Sequence, residues 1–234
     1  MAEYDPVGGS PMGLEVTTQD CTAVTDAELE EMADLCAEGS NRFSIGLLSK
    51  QTELWVLCTT ARENGKLRGF GFSTLERVGG TPAVLVGIAA VAANNRRSTV
   101  LNALMNELFH RALMAFPDED VLFGCQINDP SGFDAFKQLA DHIPRPDYKP
   151  NGEERAWGRR LTKRFSIGAS RYDDRSFTVR GDGSQSSVLD YTSTTPEKIA
   201  ADIVALFDDH NAARGDTLVC HGWVAPERLA KLGR

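Results

Sequence analysis

Between Val84 and Leu104 the chain reads VLVGIAAVAANNRRSTVLNAL, an apolar run, a short polar turn with two adjacent arginines, then apolar residues at helical spacing. The run predicts a buried strand and the second half an amphipathic helix, so the strand delivers its chain to a helix N-terminus. Free backbone N–H groups and the positive end of the helix dipole point outward together there, which suits a phosphate or pyrophosphate. Arg96 and Arg97 stand at this junction. Cations at a helix start are electrostatically unfavourable, which favours an anionic ligand over the plainer reading of two solvated charges.

The flanking sequence predicts what this unit joins. Leu14 to Thr18 is a short strand, and Thr25 with Glu28 forms a capping-box pattern that opens a helix running to Glu38, with Gly39 as its stop. Extended runs follow at Glu53 to Thr60, Lys66 to Val78 and Pro82 to Ala92. Asn64-Gly65 joins the first two, and Asn-Gly is the strongest short hairpin signal because both central residues of a type I′ turn take positive φ. Gly79-Gly80 marks the second turn, so the three strands form an antiparallel meander.

The helix after the arginine turn spans Ser98 to Ala115, with Leu101, Leu104, Leu108 and Ala112 on one face. Val121 to Asn128 is a buried strand, and a strand, crossover helix and strand imply a parallel pair of right-handed connection. Further helices are expected over Ser131 to Ala140, Arg155 to Lys163 and from Thr195-Pro196-Glu197 through Phe207, with strands at Ser176 to Arg180 and Asp216 to Val224. The polar stretch 166–194 carries no clear periodicity. Residues 1–13 read as a flexible leader, 14–150 as the core of an α/β domain, and 151–234 as an extension completing it.

At 234 residues, with 41% hydrophobic and 25% charged content, the chain can bury a large core. Its formal net charge of −8 argues against nucleic acid or an anionic membrane as partner, and no run approaches membrane-spanning length. Five cysteines, odd in number and without CxxC spacing, argue against a disulfide framework and a zinc site and fit reduced thiols in a cytoplasm. His110, His142, His210 and His221 show no ligand spacing, so no metal is expected. Glu107 as a base and Cys125 as a nucleophile each stand beside a plainer reading, a solvated helical carboxylate and a buried inert thiol.

The element order, with the Val84 to Leu104 stretch at its centre, resembles the GNAT acyl-CoA N-acyltransferase superfamily. The family pattern V-x-x-x-[YWF]-[RQ]-[GR]-x-G-x-[GA] lays Val91 at the strand end and Arg96 at the Arg/Gln position. Arg97, Ser98, Thr99, Val100 and Leu101 follow through the turn. The chain departs from the pattern at Asn95, where the family has an aromatic, and at Thr99 and Leu101, where it has small residues. The family's Asn after the next strand matches Asn128, but the helix that would carry its acid tyrosine has Phe133 and Phe136 instead.

The resemblance implies a mixed, mainly antiparallel twisted sheet with a central parallel pair and helices on both faces. It implies acetyl-CoA or another acyl-CoA as co-substrate, its arm on the strand-end backbone of Val91, Ala92 and Ala93, its pyrophosphate at Arg96 to Leu101, with Asn128 and Phe136 beside it. The groove between strands ending near Ala92 and Asn128 would admit it. The acceptor would be a small-molecule or protein amine, and the sequence leaves a homodimer open. The departures motivate a second expectation: a GNAT-shaped binding, sensor or partner protein without catalysis, or a transferase using a donor other than CoA.

Overall fold

In a computed structural model, residues 13–37, 39, 41–139 and 141–232 are described. The leader expected over residues 1–13 lies, except for Gly13, outside the described residues, as do Glu38 and Ala140 at two expected helix ends.

The hairpin and capping signals fold as their chemistry requires. Strand β1 (Leu14–Asp20) leads to helix α1 (Asp26–Ala37), where Thr25 Oγ1 accepts from the Glu28 N–H at 3.3 Å and Glu28 Oε2 accepts from the Thr25 N–H at 2.8 Å. Helix α2 (Ile45–Leu54) has no counterpart among the sequence expectations and delays the next strand, β2 (Leu57–Glu63), by four residues. Its start is capped by Ser44, whose hydroxyl accepts from the Leu47 N–H. Asn64 and Gly65 then turn with φ of 51° and 77° into β3 (Lys66–Val78), and Gly79 and Gly80 with 60° and 90° into β4 (Thr81–Val91).

Helix α3 (Arg97–Ala115) crosses to β5 (Val121–Ile127), which runs parallel to β4. Two expected helices differ. Residues Pro130–Phe136 form a 3-10 helix, with the carboxylate of Asp129 accepting from the Ser131 N–H and Pro130 at the first position. The stretch from Thr195 breaks into a 3-10 turn, Pro196–Lys198, and a five-residue helix, so its apolar residues are split between two short pieces. Between these lie β6 (Asp141–Ile143), α4 (Gly152–Arg164), β7 (Tyr172–Asp173), β8 (Thr178–Val179) and β9 (Leu189–Asp190). The short helix α5 (Ala201–Ala205), β10 (Thr217–Val224) and α6 (Pro226–Leu232) complete the chain.

The strands join one ten-stranded sheet in the order β1-β2-β3-β4-β5-β10-β8-β7, with β6 on β10 and β9 on β4. Pairing is antiparallel except between β4 and β5 and between β4 and β9. One face buries Val84, Val86, Phe123 and Cys125 against Leu101, Met105 and Phe109 of α3 and against Phe136. The other buries Leu85, Ile88, Phe70 and Phe72 against Met32 of α1, Leu48 of α2 and Leu161 of α4. No helix among the described residues is long and apolar enough to cross a membrane.

Candidate functional site

The register of β4 places the site. Ser73 of β3 faces Val86 and Phe72 faces Ile88, so Gly87 is an extra residue, a bulge that bends the strand. The pairs between β4 and β5 end at Val86 and Cys125, and beyond Gly87 the parallel strands diverge. Trp55 fixes the position: a Cβ on Gly87 would stand 2.0 Å from its ring, and its indole N–H donates to the buried Gln51 Oε1 at 2.9 Å. A parallel sheet that opens at the carboxyl ends of its strands is a common place for a ligand crevice.

The opened wedge is filled by the chain itself. Strand β9 lies along β4 with Ala89 opposite Leu189 and Ala90 opposite Asp190, and the Ala89 N–H donates to the Val188 carbonyl at 3.2 Å. Successive residues of β9 face opposite sides of the sheet. Leu189 and Tyr191 enter the core beneath α3. Asp190, 6% exposed, turns to the other side, where Oδ2 accepts from the Asn41 N–H at 3.0 Å and Oδ1 from Asn41 Nδ2 at 2.9 Å. Asn41 Oδ1 in turn accepts from Asn128 Nδ2 at 3.1 Å. Burial raises the Asp190 pKa above the ordinary carboxylate value, the Asn41 bonds oppose the shift, and nearby Asp129 adds to it.

At the open end of β4 the turn is closed by Asn94, whose side chain accepts from the Arg96 N–H at 2.8 Å and whose carbonyl accepts from the Arg97 N–H at 3.3 Å. The first bond of α3 runs from the Val100 N–H to the Arg96 carbonyl, so the N–H groups of Ser98 and Thr99 have no intrahelical acceptor. Arg97 Nε is enclosed without a partner, and so is the hydroxyl of Tyr191, which is 2% exposed. Asp134 lies beside that hydroxyl without meeting hydrogen-bond geometry, and burial pushes the phenol up to about 12.

The expected site residues do not form one set. Arg96 is ion-paired with Glu63, which also holds Arg68. Val100 and Leu101, 2% and 1% exposed, bury their side chains in the core, Val100 against the backbone of Gly69. The Ala92 N–H donates to Arg68 O at 2.8 Å, and Ala92 and Ala93 line a cavity of about 380 Å³ with Glu31, Asp34 and Lys66. Asn128 lines a different cavity of about 460 Å³. Phe136 packs edge-on against Phe123 at 5.2 Å and borders a third cavity of about 430 Å³. Val91 is half-buried and Thr99 exposed.

The turn and the wedge answer differently to an acyl-CoA. At the turn, the Ser98 and Thr99 N–H groups, the Ser98 hydroxyl and Arg97 fit a phosphate-bearing group. In the wedge, β9 occupies the edge of β4 at Ala89 and Ala90, just before the Val91 to Ala93 backbone expected to hold an acyl-CoA arm. Beside Ala89 and Ala90 the groove expected to admit the cofactor is occupied by residues of the stretch 166–194, in which the expected strand lies elsewhere, at Ser176 to Arg180. Asn41, Asp190 and Tyr191 are therefore additions to the candidate site.

Other candidates resolve simply. Glu107 Oε1 accepts from Thr18 Oγ1 at 3.0 Å and Arg111 Nε at 2.7 Å. All five cysteines are reduced and buried, and burial raises the thiol pKa of Cys125. Among the described residues no cluster of His, Cys, Asp and Glu could hold a metal ion.

No family model matches the chain, and no curated protein matches it in sequence. Solved structures overlap it in part. An aminoglycoside 6'-acetyltransferase type Ii is 11% identical, with a TM-score of 0.40 over 56% of this chain and 87% of its own. The ribosomal-protein-S18-alanine N-acetyltransferase from Escherichia coli is 13% identical, with a TM-score of 0.37 over 59% and 86%. Ard1 from Thermoplasma volcanium is 14% identical, with a TM-score of 0.40 over 55% and 86%. At these identities the overlap concerns the course of the backbone, not the residues of the site.

Proposed function

We propose that the chain is an N-acyltransferase that takes an acyl group from acetyl-CoA or another acyl-CoA and passes it to an amine. The observation that carries this reading is the turn at the open end of β4. There two first-turn N–H groups, Ser98 and Thr99, have no intrahelical acceptor, and the Nε of Arg97 in the same turn has no partner. An acyl thioester held there would supply the activated acyl group. The chain's part is to hold phosphate at Ser98, Thr99 and Arg97, and to carry two titratable groups on opposite sides of the sheet, Asp190 in β9 and Tyr191 directly after it.

Calorimetry with CoA and acetyl-CoA tests the reading. Saturable binding is expected, weakened at least tenfold in Arg97→Glu. Equal affinity in that variant would refute the assigned turn, and transfer to no amine from any acyl-CoA would refute the activity.

The filled wedge favours a second reading, a GNAT-shaped binding, sensor or partner protein, or a transferase with a different donor. Its signature is the absence of any thermal shift with CoA or with short and long acyl-CoAs. A ligand at a hundred times its Kd would by contrast stabilise the fold by about 2.7 kcal/mol.

A further inference from the structure

His221 of β10 is 1% exposed, and neither ring nitrogen has a hydrogen-bond partner. Across the sheet it faces Gly124 of β5 and Ile143 of β6, which offer no polar side chain. Phe177, fully buried, lies against the imidazole with ring centroids 5.7 Å apart. Tyr172 packs edge-on to Phe177, and its hydroxyl is enclosed without a partner beside Gly158 of α4, where a Cβ would meet it at 2.1 Å. The charged groups of the neighbouring elements act elsewhere, Arg159, Asp173 and Asp174 on Tyr172, and Asp141 and Arg145 on His142. An imidazolium donates from both nitrogens, so a charged His221 needs two acceptors that the closed site does not hold. Charging it therefore requires water, and water requires one of its covers to lift.

The covers are held unequally. Strand β10 shares seven residue pairs with β5 and three with β6, and Trp157 and Leu161 of α4 are buried in the core. The hairpin 172–179, which carries Phe177, has two pairs between its own strands and two with β10. Phe177 also has a φ of 60°, a strained conformation for a bulky residue. The base of the hairpin is fixed separately. The Arg180 N–H donates to the Arg171 carbonyl at 2.8 Å, Arg171 Nε to the Arg180 carbonyl at 2.7 Å, and the Gly181 N–H to Asp216 Oδ1 at 2.8 Å. We propose that hairpin 172–179 is an acid-opened flap: protonation of His221 lifts Phe177 off the imidazole, while the Arg171–Arg180 base and the sheet beneath stay in place. The closed form keeps the imidazole neutral down to about pH 4, whereas the hydrated ring of the open form has the ordinary value of 6.5. Opening is then about tenfold more favourable for each pH unit of descent between those values and constant above them.

Amide hydrogen exchange of the full chain between about pH 7 and about pH 5, corrected for the intrinsic pH dependence of exchange, reads this opening. The Val219 amide, which donates to the Phe177 carbonyl at 3.0 Å, and the amides of the hairpin are expected to lose protection about tenfold per pH unit, while amides inside β4 and β5 keep theirs. His221→Phe and His221→Leu put side chains that cannot be protonated in place of the imidazole and should each flatten the profile. Asp174→Asn, which removes the ion pair to Arg159, should raise opening equally at every pH and leave the slope in place. A flat profile in the parent, a slope kept in both His221 variants, an equal loss of protection in β4 and β5, or a slope that disappears only in Asp174→Asn would each overturn the flap. Should neither His221 variant fold, proton NMR of the parent decides. Titration of the imidazole in step with hairpin opening supports the flap, and titration near its ordinary value with the hairpin still protected overturns it.

Discussion

The indole of Trp55 lies so close over Gly87 that a β-carbon there would meet its ring at 2.0 Å, and Gly87 is the bulge at which β4 leaves β5. Gly87→Ala must move a buried aromatic held by Gln51 or shift the strand. Overpacking of this kind costs about 1–3 kcal/mol. Urea unfolding of Gly87→Ala is expected to show a loss in that range with the m-value unchanged, whereas Gly80→Ala, at an open turn with φ of 90°, should be limited to backbone strain. Equal stability of Gly87→Ala and the parent would show that the bulge is not fixed by Trp55.

Much of this frame is legible in the sequence because its signals are local. Asn64-Gly65, Gly79-Gly80, the Thr25/Glu28 box and the heptad-like leucines of α3 each specify their own backbone, and the structure follows them. The site is less legible because its contacts are distant in sequence. Asn41 and Asp190 are separated by 149 positions, and β9 is two residues long, too short for periodicity to reveal. The 3-10 geometry after Asp129 also escapes a pattern of apolar spacing, since Phe133 and Phe136 stand three apart and suit either helix.

The Asp190 carboxyl links stability to pH. Its pKa is raised in the folded chain, so its contribution is fully present below the unfolded value and is lost as pH rises through the folded one. The stability of the wild type relative to Asp190→Asn should therefore fall as pH rises from about 4 toward neutrality, the unfolded pKa being near 3.9. Chemical denaturation of both proteins across that range measures the difference. A difference that grows with pH would mean that the Asn41 bonds, not burial, govern this group.

His221 acts in the opposite sense. It is 1% exposed, both ring nitrogens lack partners, and burial brings its pKa from 6.5 down to about 4. A base with a depressed folded pKa contributes stability above its unfolded value that is lost as pH falls toward the folded one. At 1.36 kcal/mol per unit, the loss between those values is about 3 kcal/mol. His221→Leu should flatten the acid limb of the stability curve between pH 6.5 and 4; an unchanged slope there would place the acid lability in another group.

The closed wedge makes the hydrogen exchange of β9 decisive between the two functional readings. In the free protein the amides of Ala89 and Asp190 are held by a ladder of only two residue pairs, flanked by irregular chain, so they should exchange faster than the interior of β4 and β5 by a local opening. If an acyl-CoA arm extends along the edge of β4 from Val91 back to Ala89, it must displace Val188 from the Ala89 N–H. Saturating acetyl-CoA is then expected to slow exchange at Ala89 and to speed it across Leu189 and Asp190, a reversal between two partners of one hydrogen-bonded pair. Binding that leaves both sets unchanged would mean that the ligand stops at the Ser98 and Thr99 turn and that β9 is a permanent part of the sheet. The wedge would then be core, and the chemistry of this chain would have to lie outside it.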